Sequence, residues 1–494
     1  MPWPWRRFLA ATIAVFPLAG ATAAEGPAAA SAPAFKSCSL AGSGGNGNLH
    51  AECATWRQPL DRNDPGGEAI ELFIARLPST ALEPAADALT IINGGPGGSS
   101  IDLLVDFAGV WRMFTRERDV VVIDQRGTGR SAPMTCDAVT DTANEPTSDE
   151  TLTITRDCLN ALPHDPRFFT TSAAVEDLES LRATLGYNQW SLYGVSYGTR
   201  VAQHFARRYP ASTRTLVIDG VVPTDQRLGR DIAVHSQNAF DAVAARCAAS
   251  AGCAEAFPTL GDDFARLATT LRDTPPAPLT LAHPITGEPT EIELSYAHLA
   301  IWLRFSLYAP ETTALVPLIV SQAAHQQRYL PIAANAVRLV HDFSTALNYG
   351  MHNAVVCTED APFYDDTVDY AAMDRAYLGR DLYDTMQIMC SIWPEGVRHE
   401  DIKAPFTSSV PTLVLSGEFD PITPPAWGER AMAGLSRAVH VVAPGQGHGV
   451  IARGCIPRLA LEFVEAADPE VVDSECTQYL SPSPFFVNLM GPPP

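Results

Sequence analysis

Apolar residues fall in short blocks separated by polar, glycine-rich turns. Residues 70–77 and 88–92 read as strands, and 119–123 is almost purely Val and Ile. Residues 191–193 and 215–218 continue the series, and 412–415 and 438–442 resume it near the C-terminus. Short apolar runs of this kind fit strands buried on both faces of a parallel sheet. Between them the period changes to that of a helix. Residues 173–185 carry apolar positions at Ala174, Leu178, Leu181 and Leu185, and 197–209 follows the strand at 191–193 directly. Alternating strand and helix implies right-handed crossovers and a doubly wound α/β sheet. The alternation stops near residue 225. Residues 226–404 are richer in helical patterns, at 231–249, 295–307 and 312–325, with no regular strand series. A further helix is expected at 457–466. The economical reading is one α/β core, 25–225 and 405–494, split by a mainly helical cap at 226–404.

Length and composition allow this reading. The chain has 494 residues, 46% of them hydrophobic, enough to bury a large core. Its net charge is −22, from 34 basic and 56 acidic residues, which argues against nucleic-acid binding by phosphate neutralisation. An acidic surface favours solubility and cationic ligands. The N-terminus reads as a signal peptide over residues 1–24: Arg6 and Arg7, an apolar stretch from Phe8 to Leu18, then Ala21-Thr22-Ala23 as a small-residue cleavage site. The stretch is too short and alanine-rich for a membrane span, so no stable membrane insertion is expected. A flexible tether is expected over 24–36. The location implied is periplasmic or secreted. Ten cysteines behind an export signal imply disulfides. The simplest pairing joins neighbours along the chain: 38–53, 136–158, 247–253, 357–390 and 455–476. With no C-x-x-C and no zinc spacing, no metal is expected.

The strongest chemical signal is Gly194-Val195-Ser196-Tyr197-Gly198. This G-x-S-x-G lies between a strand and a helix, the setting of a nucleophile elbow. Ser196 is the candidate nucleophile. A serine hydroxyl needs a base. The order of this fold, Ser then acid then His, points to His448 in Gly445-Gln446-Gly447-His448-Gly449. Asp420, in Ser416-Gly417-Glu418-Phe419-Asp420-Pro421, is the acid of choice, with Glu418 and Asp219 as rivals. Oxyanion donors are expected from Asn93-Gly94-Gly95-Pro96-Gly97-Gly98 after the second strand. The backbone amides of Gly95 and Tyr197 are the choice, with Gly94 the fallback for the former. Asp124-Gln125-Arg126-Gly127-Thr128-Gly129-Arg130-Ser131 reads as a structural turn with Arg126 ion-paired.

Together these motifs resemble the prolyl iminopeptidase and tripeptidyl aminopeptidase family of α/β-hydrolases. The resemblance covers most of residues 50–480. It implies a helical cap over the site and cleavage near a free peptide N-terminus, with no cofactor. Asn93 stands where prolyl iminopeptidases usually have His, which leans toward the secreted tripeptidyl branch. In the family, acidic groups of the cap hold the substrate's ammonium; Glu359 and Asp360 are the candidates here. A carboxylesterase or lipase on the same fold is the alternative, and a non-catalytic binding protein a remote one.

Overall fold

The computed structural model describes residues 32–42, 48–136, 147–365 and 367–492. The expected signal peptide, and most of the expected tether, lie outside them. Nine strands form one sheet, in the order β1-β2-β3-β5-β4-β6-β7-β10-β11. They are β1 (Lys36–Ala41), β2 (Asn48–Pro59), β3 (Ala69–Leu77), β4 (Ala88–Ile92), β5 (Asp119–Ile123), β6 (Trp190–Val195), β7 (Thr213–Asp219), β10 (Thr412–Gly417) and β11 (Ala438–Ala443). The strands from β5 to β11 run parallel, and β1, β2 and β3 form an antiparallel edge. All the expected core strands are present.

Alternation along each strand feeds two cores. Leu192, Leu216 and Ile218 point to one face, where they meet Val175, Leu178 and Leu181 of the helix Thr171–Leu185 and Val201 and Phe205 of the helix Tyr197–Arg208. Tyr193 and Val217 point to the other face, with Trp111 and with Ile456, Ala460 and Phe463 of the helix Ile456–Ala466. Burial on both faces is why these segments are mostly apolar. In β4 all five residues are buried.

The edge strands β1 and β2 were not expected. In β2 buried Leu49, Ala51 and Trp56 alternate with exposed His50, Thr55 and Arg57, so the segment is as polar as a loop. Between β7 and β10 the chain is mostly helical. Ile232–Ala249, Leu260–Asp273, Tyr296–Ser306, Val316–Gln326 and Leu330–Ala346 pack around Phe240, Phe264, Trp302 and Leu303. The helix expected over 312–325 is instead two, Pro310–Thr313 and Val316–Gln326, the second with a proline in its first turn. A hairpin not foreseen, β8 (Leu279–Ala282) and β9 (Pro289–Ile292), also lies here.

Five disulfides join Cys38–Cys53, Cys136–Cys158, Cys247–Cys253, Cys357–Cys390 and Cys455–Cys476, the neighbour pairing expected. Such a set fits an oxidising compartment. No helix among the described residues is long and apolar enough to cross a membrane.

Candidate active site

β5 and β6 lie on opposite sides of β4, so the sheet order reverses there and leaves a crevice at the strands' C-terminal ends. Ser196 sits at the tip of β6, before the helix Tyr197–Arg208, with φ 56° and ψ −127°. This is strained backbone for a residue with a Cβ. It is held by the Ser196 N–H, which donates to the Asp219 carbonyl at 2.9 Å. At Gly198 a Cβ would run into the Ile92 carbonyl, so the helix can start this close to β4 only from glycine.

His448 lines the same cavity as Ser196. Its Nδ1 lies 2.8 Å from Asp420 Oδ2. The Asp420 carboxylate also accepts the N–H groups of Ile422 and Thr423 at 2.9 and 2.8 Å and the Thr423 hydroxyl at 2.7 Å. Burial alone would lower the His448 pKa; the Asp420 charge and hydrogen bond outweigh it and raise the imidazole above its ordinary value. Burial likewise pushes Asp420 up, and His448 with the Thr423 bonds pulls it below the usual carboxylate range. The pair is therefore tuned to favour imidazolium beside carboxylate. Thr423, missed in the sequence, is 3.1 Å from His448 Nδ1 as well. The available signal was a threonine three residues after an acid in a turn.

The two rival acids brace the histidine loop. Asp219 is fully buried, accepts the Val450 and Ile451 N–H groups at 2.9 Å, and takes the Tyr193 hydroxyl at 3.0 Å. Burial raises its carboxyl to about 6. Glu418 Oε2 accepts the Gly445 N–H at 2.7 Å. From the helical segment between β7 and β10, the Tyr308 carbonyl accepts the His448 N–H at 2.9 Å, and the Tyr308 ring meets the imidazole edge-on, centroids 5.3 Å apart.

The glycine loop after β4 faces Ser196. A Cβ on Gly94 would stand 2.7 Å from Ser196 Cβ and 3.2 Å from its Oγ. The Gly94 N–H donates to Asn93 Oδ1 at 2.7 Å, which leaves the Gly95 amide as the loop's candidate donor beside that of Tyr197. Asp124 accepts from Ser99 Oγ, the Ile101 N–H and the Arg130 N–H at 2.8, 3.0 and 2.9 Å, tying this loop to the neighbouring turn. Arg126 forms a buried two-pronged pair with Asp177, at 2.7 and 2.8 Å.

Glu359 and Asp360 are not where an ammonium could reach them. Both are fully buried, and neither lines the cavity. The Glu359 carboxylate accepts the Thr171 N–H and hydroxyl, both at 2.7 Å. Asp360 is paired with Arg200 at 2.9 Å and Lys403 at 2.6 Å. Burial would raise Asp360, but these two cations hold it down at about 2. The expected substrate anchor is thus an internal ion-pair cluster under the helix that follows Ser196. The carboxylate that does line the cavity is Asp231, at the entry to the helix Ile232–Ala249. The cavity measures about 900 Å³, and Phe305, Phe343, Leu347 and Trp427 give it apolar walls. Among the described residues no cluster of His, Cys, Asp or Glu could hold a metal ion.

Residues 87–280 match the family described as alpha/beta hydrolase fold, and residues 375–476 match the family described as TAP-like protein. The chain is 26% identical over 460 residues to "Serine protease Hip1" of Mycobacterium tuberculosis, covering 84% of this chain and 85% of that one. It is 29% identical over 193 residues to "Tripeptidyl aminopeptidase" of Streptomyces lividans, 35% of each chain. "Carboxylesterase B" of Mycobacterium tuberculosis is 26% identical over 459 residues, 83% of this chain and 85% of that one. With the fold described above, these findings make the chain a serine hydrolase with the α/β-hydrolase fold. Within that fold the chain is similar to the prolyl iminopeptidase and tripeptidyl aminopeptidase family, through the TAP-like segment and the partial match to a tripeptidyl aminopeptidase.

Proposed function

We propose that the protein is an exported serine peptidase that cleaves peptides near a free N-terminus through an acyl-enzyme on Ser196. The observation that carries this reading is the cavity that holds Ser196 and His448 together, walled by the helical segment between β7 and β10, which we take as the cap. His448 accepts the Ser196 proton as the serine oxygen attacks the scissile carbonyl. The Gly95 and Tyr197 amides hold the oxyanion. Asp420 keeps the imidazole in the right tautomer and stabilises the imidazolium. His448 then gives the proton to the leaving amine, and water, activated the same way, releases the acyl group. No step calls for a metal or cofactor.

Asp231 takes over the ammonium-binding role in this reading. Its Oδ2 accepts from Gln226 at 2.7 Å and its Oδ1 from Arg230 at 3.1 Å, which fixes the carboxylate while leaving lone pairs for an ammonium. The name of the second mycobacterial relative supports an esterase reading, and the triad alone does not separate esters from amides. The test compares an Ala-Ala-Pro coumarin amide with a free and an acetylated N-terminus. Fast cleavage of the free form, lost on acetylation and weakened through KM by Asp231→Asn, supports the exopeptidase. Turnover of an aryl ester with no peptide hydrolysis favours the esterase.

A further inference from the structure

The lining of the site cavity runs against the charge of the molecule. The chain carries −22 overall, yet the cavity is lined by Arg227, Arg304 and Arg453 against Asp231 alone among carboxylates. Most of these charges are spoken for. Arg227 pairs with Asp365 at 3.0 Å, Arg453 with Glu311 at 2.6 Å, and Asp231 with Arg230 at 3.1 Å. Arg304 is different. No carboxylate lies within ion-pair distance of it among the described residues; its Nε, like that of Arg227, is buried with no hydrogen-bond partner. Its guanidinium rests 5.3 Å from the Phe305 ring centroid, on the cavity wall. Arg304 is half-buried in this largely apolar wall and its side chain bonds that of Tyr308, which leaves its positive charge without an anion. Its planar fork of donors suits a carboxylate.

The position of Arg304 says which end of the substrate it meets. It lies near the end of the helix Tyr296–Ser306, four residues before Tyr308. Tyr308 touches His448 through both its ring and its carbonyl. Arg304 therefore stands on the histidine side of the cavity, where the leaving amine is protonated.

We propose that Arg304 is the carboxylate receptor of this site, binding a carboxylate on the leaving-group side of the scissile bond. That carboxylate is either the C-terminus of a short peptide or an acidic side chain just after the cleaved bond. The inference deepens the peptidase reading in its choice of substrate, but the receptor can be tested without it. Hydrolysis of 4-nitrophenyl acetate needs only the hydrolase centre and serves as reporter. Ala-Ala and its C-terminal amide are compared as inhibitors, in the wild type, Arg304→Gln and Arg304→Lys. A charge-assisted bond to a carboxylate corresponds to about tenfold or more in affinity. The acid should inhibit the wild type about tenfold more strongly than the amide. Arg304→Gln should abolish that ratio, and Arg304→Lys should restore part of it. Equal inhibition in the wild type, or a preference unchanged in Arg304→Gln, overturns the assignment.

Peptide turnover then separates the two sources of carboxylate. Preference for Ala-Ala-Pro-Ala over its amide, lost through KM in Arg304→Gln, identifies the C-terminus. Preference for Ala-Ala-Pro-Asp-NH2 over the Asn analogue identifies a side chain. If peptides are not turned over while the Arg304-dependent inhibition persists, the peptidase reading fails and the receptor stands. If peptides are turned over with neither preference, the receptor fails and the peptidase stands.

Discussion

Replacing Gly94 with alanine tests how closely the glycine loop and the elbow are fitted. The added methyl would stand 2.7 Å from Ser196 Cβ, 3.0 Å from the Val195 carbonyl oxygen and 3.2 Å from Ser196 Oγ. Carbon atoms prefer separations of about 3.5–4.0 Å, so loop and elbow must part by nearly 1 Å. Two of the three contacts are with the backbone and Cβ of a turn already held at a strained φ, so neither side can yield by a rotamer change. Overpacking of this kind costs about 1–3 kcal/mol of stability. The larger effect is on rate. A displacement near 1 Å between Ser196 and the Gly95 donor costs about 10²-fold. The assay is kcat and KM on the Ala-Ala-Pro coumarin amide, with urea unfolding to confirm the fold. Gly66→Ala serves as control, because a Cβ there meets nothing within 4 Å. We expect kcat of Gly94→Ala to fall about a hundredfold with KM little changed. Activity within threefold of the wild type, in a folded protein, would refute the placement of this loop against Ser196.

Other consequences are as specific. The rate should rise with pH as His448 loses its proton, with a midpoint above the ordinary imidazole value of 6.5, because Asp420 favours the imidazolium. Asp420→Asn should lower that midpoint and drop kcat by about 10⁴-fold, as a pH–rate profile of both proteins would show. Asp360→Ala leaves Arg200 and Lys403 buried without their shared carboxylate and should cost about 3–5 kcal/mol in urea unfolding, with KM of the folded enzyme unchanged. The folded-state pKa of Asp360, about 2, lies below the ordinary 3.8. Its stabilising contribution is therefore present above 3.8 and is lost as pH falls toward about 2. An unfolding series between pH 2 and 5 should show this slope in the wild type and not in the variant.

What could be read from the sequence divides along physical lines. The parallel strands were legible because burial on both faces leaves few polar positions, as in Ala-Leu-Thr-Ile-Ile of β4. The elbow was legible because its demand for glycine is met within five consecutive residues. The antiparallel edge was not, since β2 is half solvated and its polar residues hide the strand. Glu359 and Asp360 misled for a different reason. Two adjacent acids at the end of a helical segment look available for a cation until their partners are known. The Arg200 that neutralises Asp360 lies 160 residues away, and nothing local announces it. Asp231 and Arg304 carry no motif at all. They are distinguished by lining the cavity, which only the packing of the helices against the sheet creates.

The measurement that bears most directly on the account is the identity of the residue that carries the acyl group. The wild type would be treated with a fluorophosphonate and digested for peptide mass mapping, and Ser196→Ala would be assayed on the tripeptide amide alongside. The account calls for a single adduct, on Ser196, and for loss of about 10⁴-fold or more in kcat/KM in the variant. An adduct on another residue, or a folded Ser196→Ala enzyme with turnover within tenfold of the wild type, would contradict it.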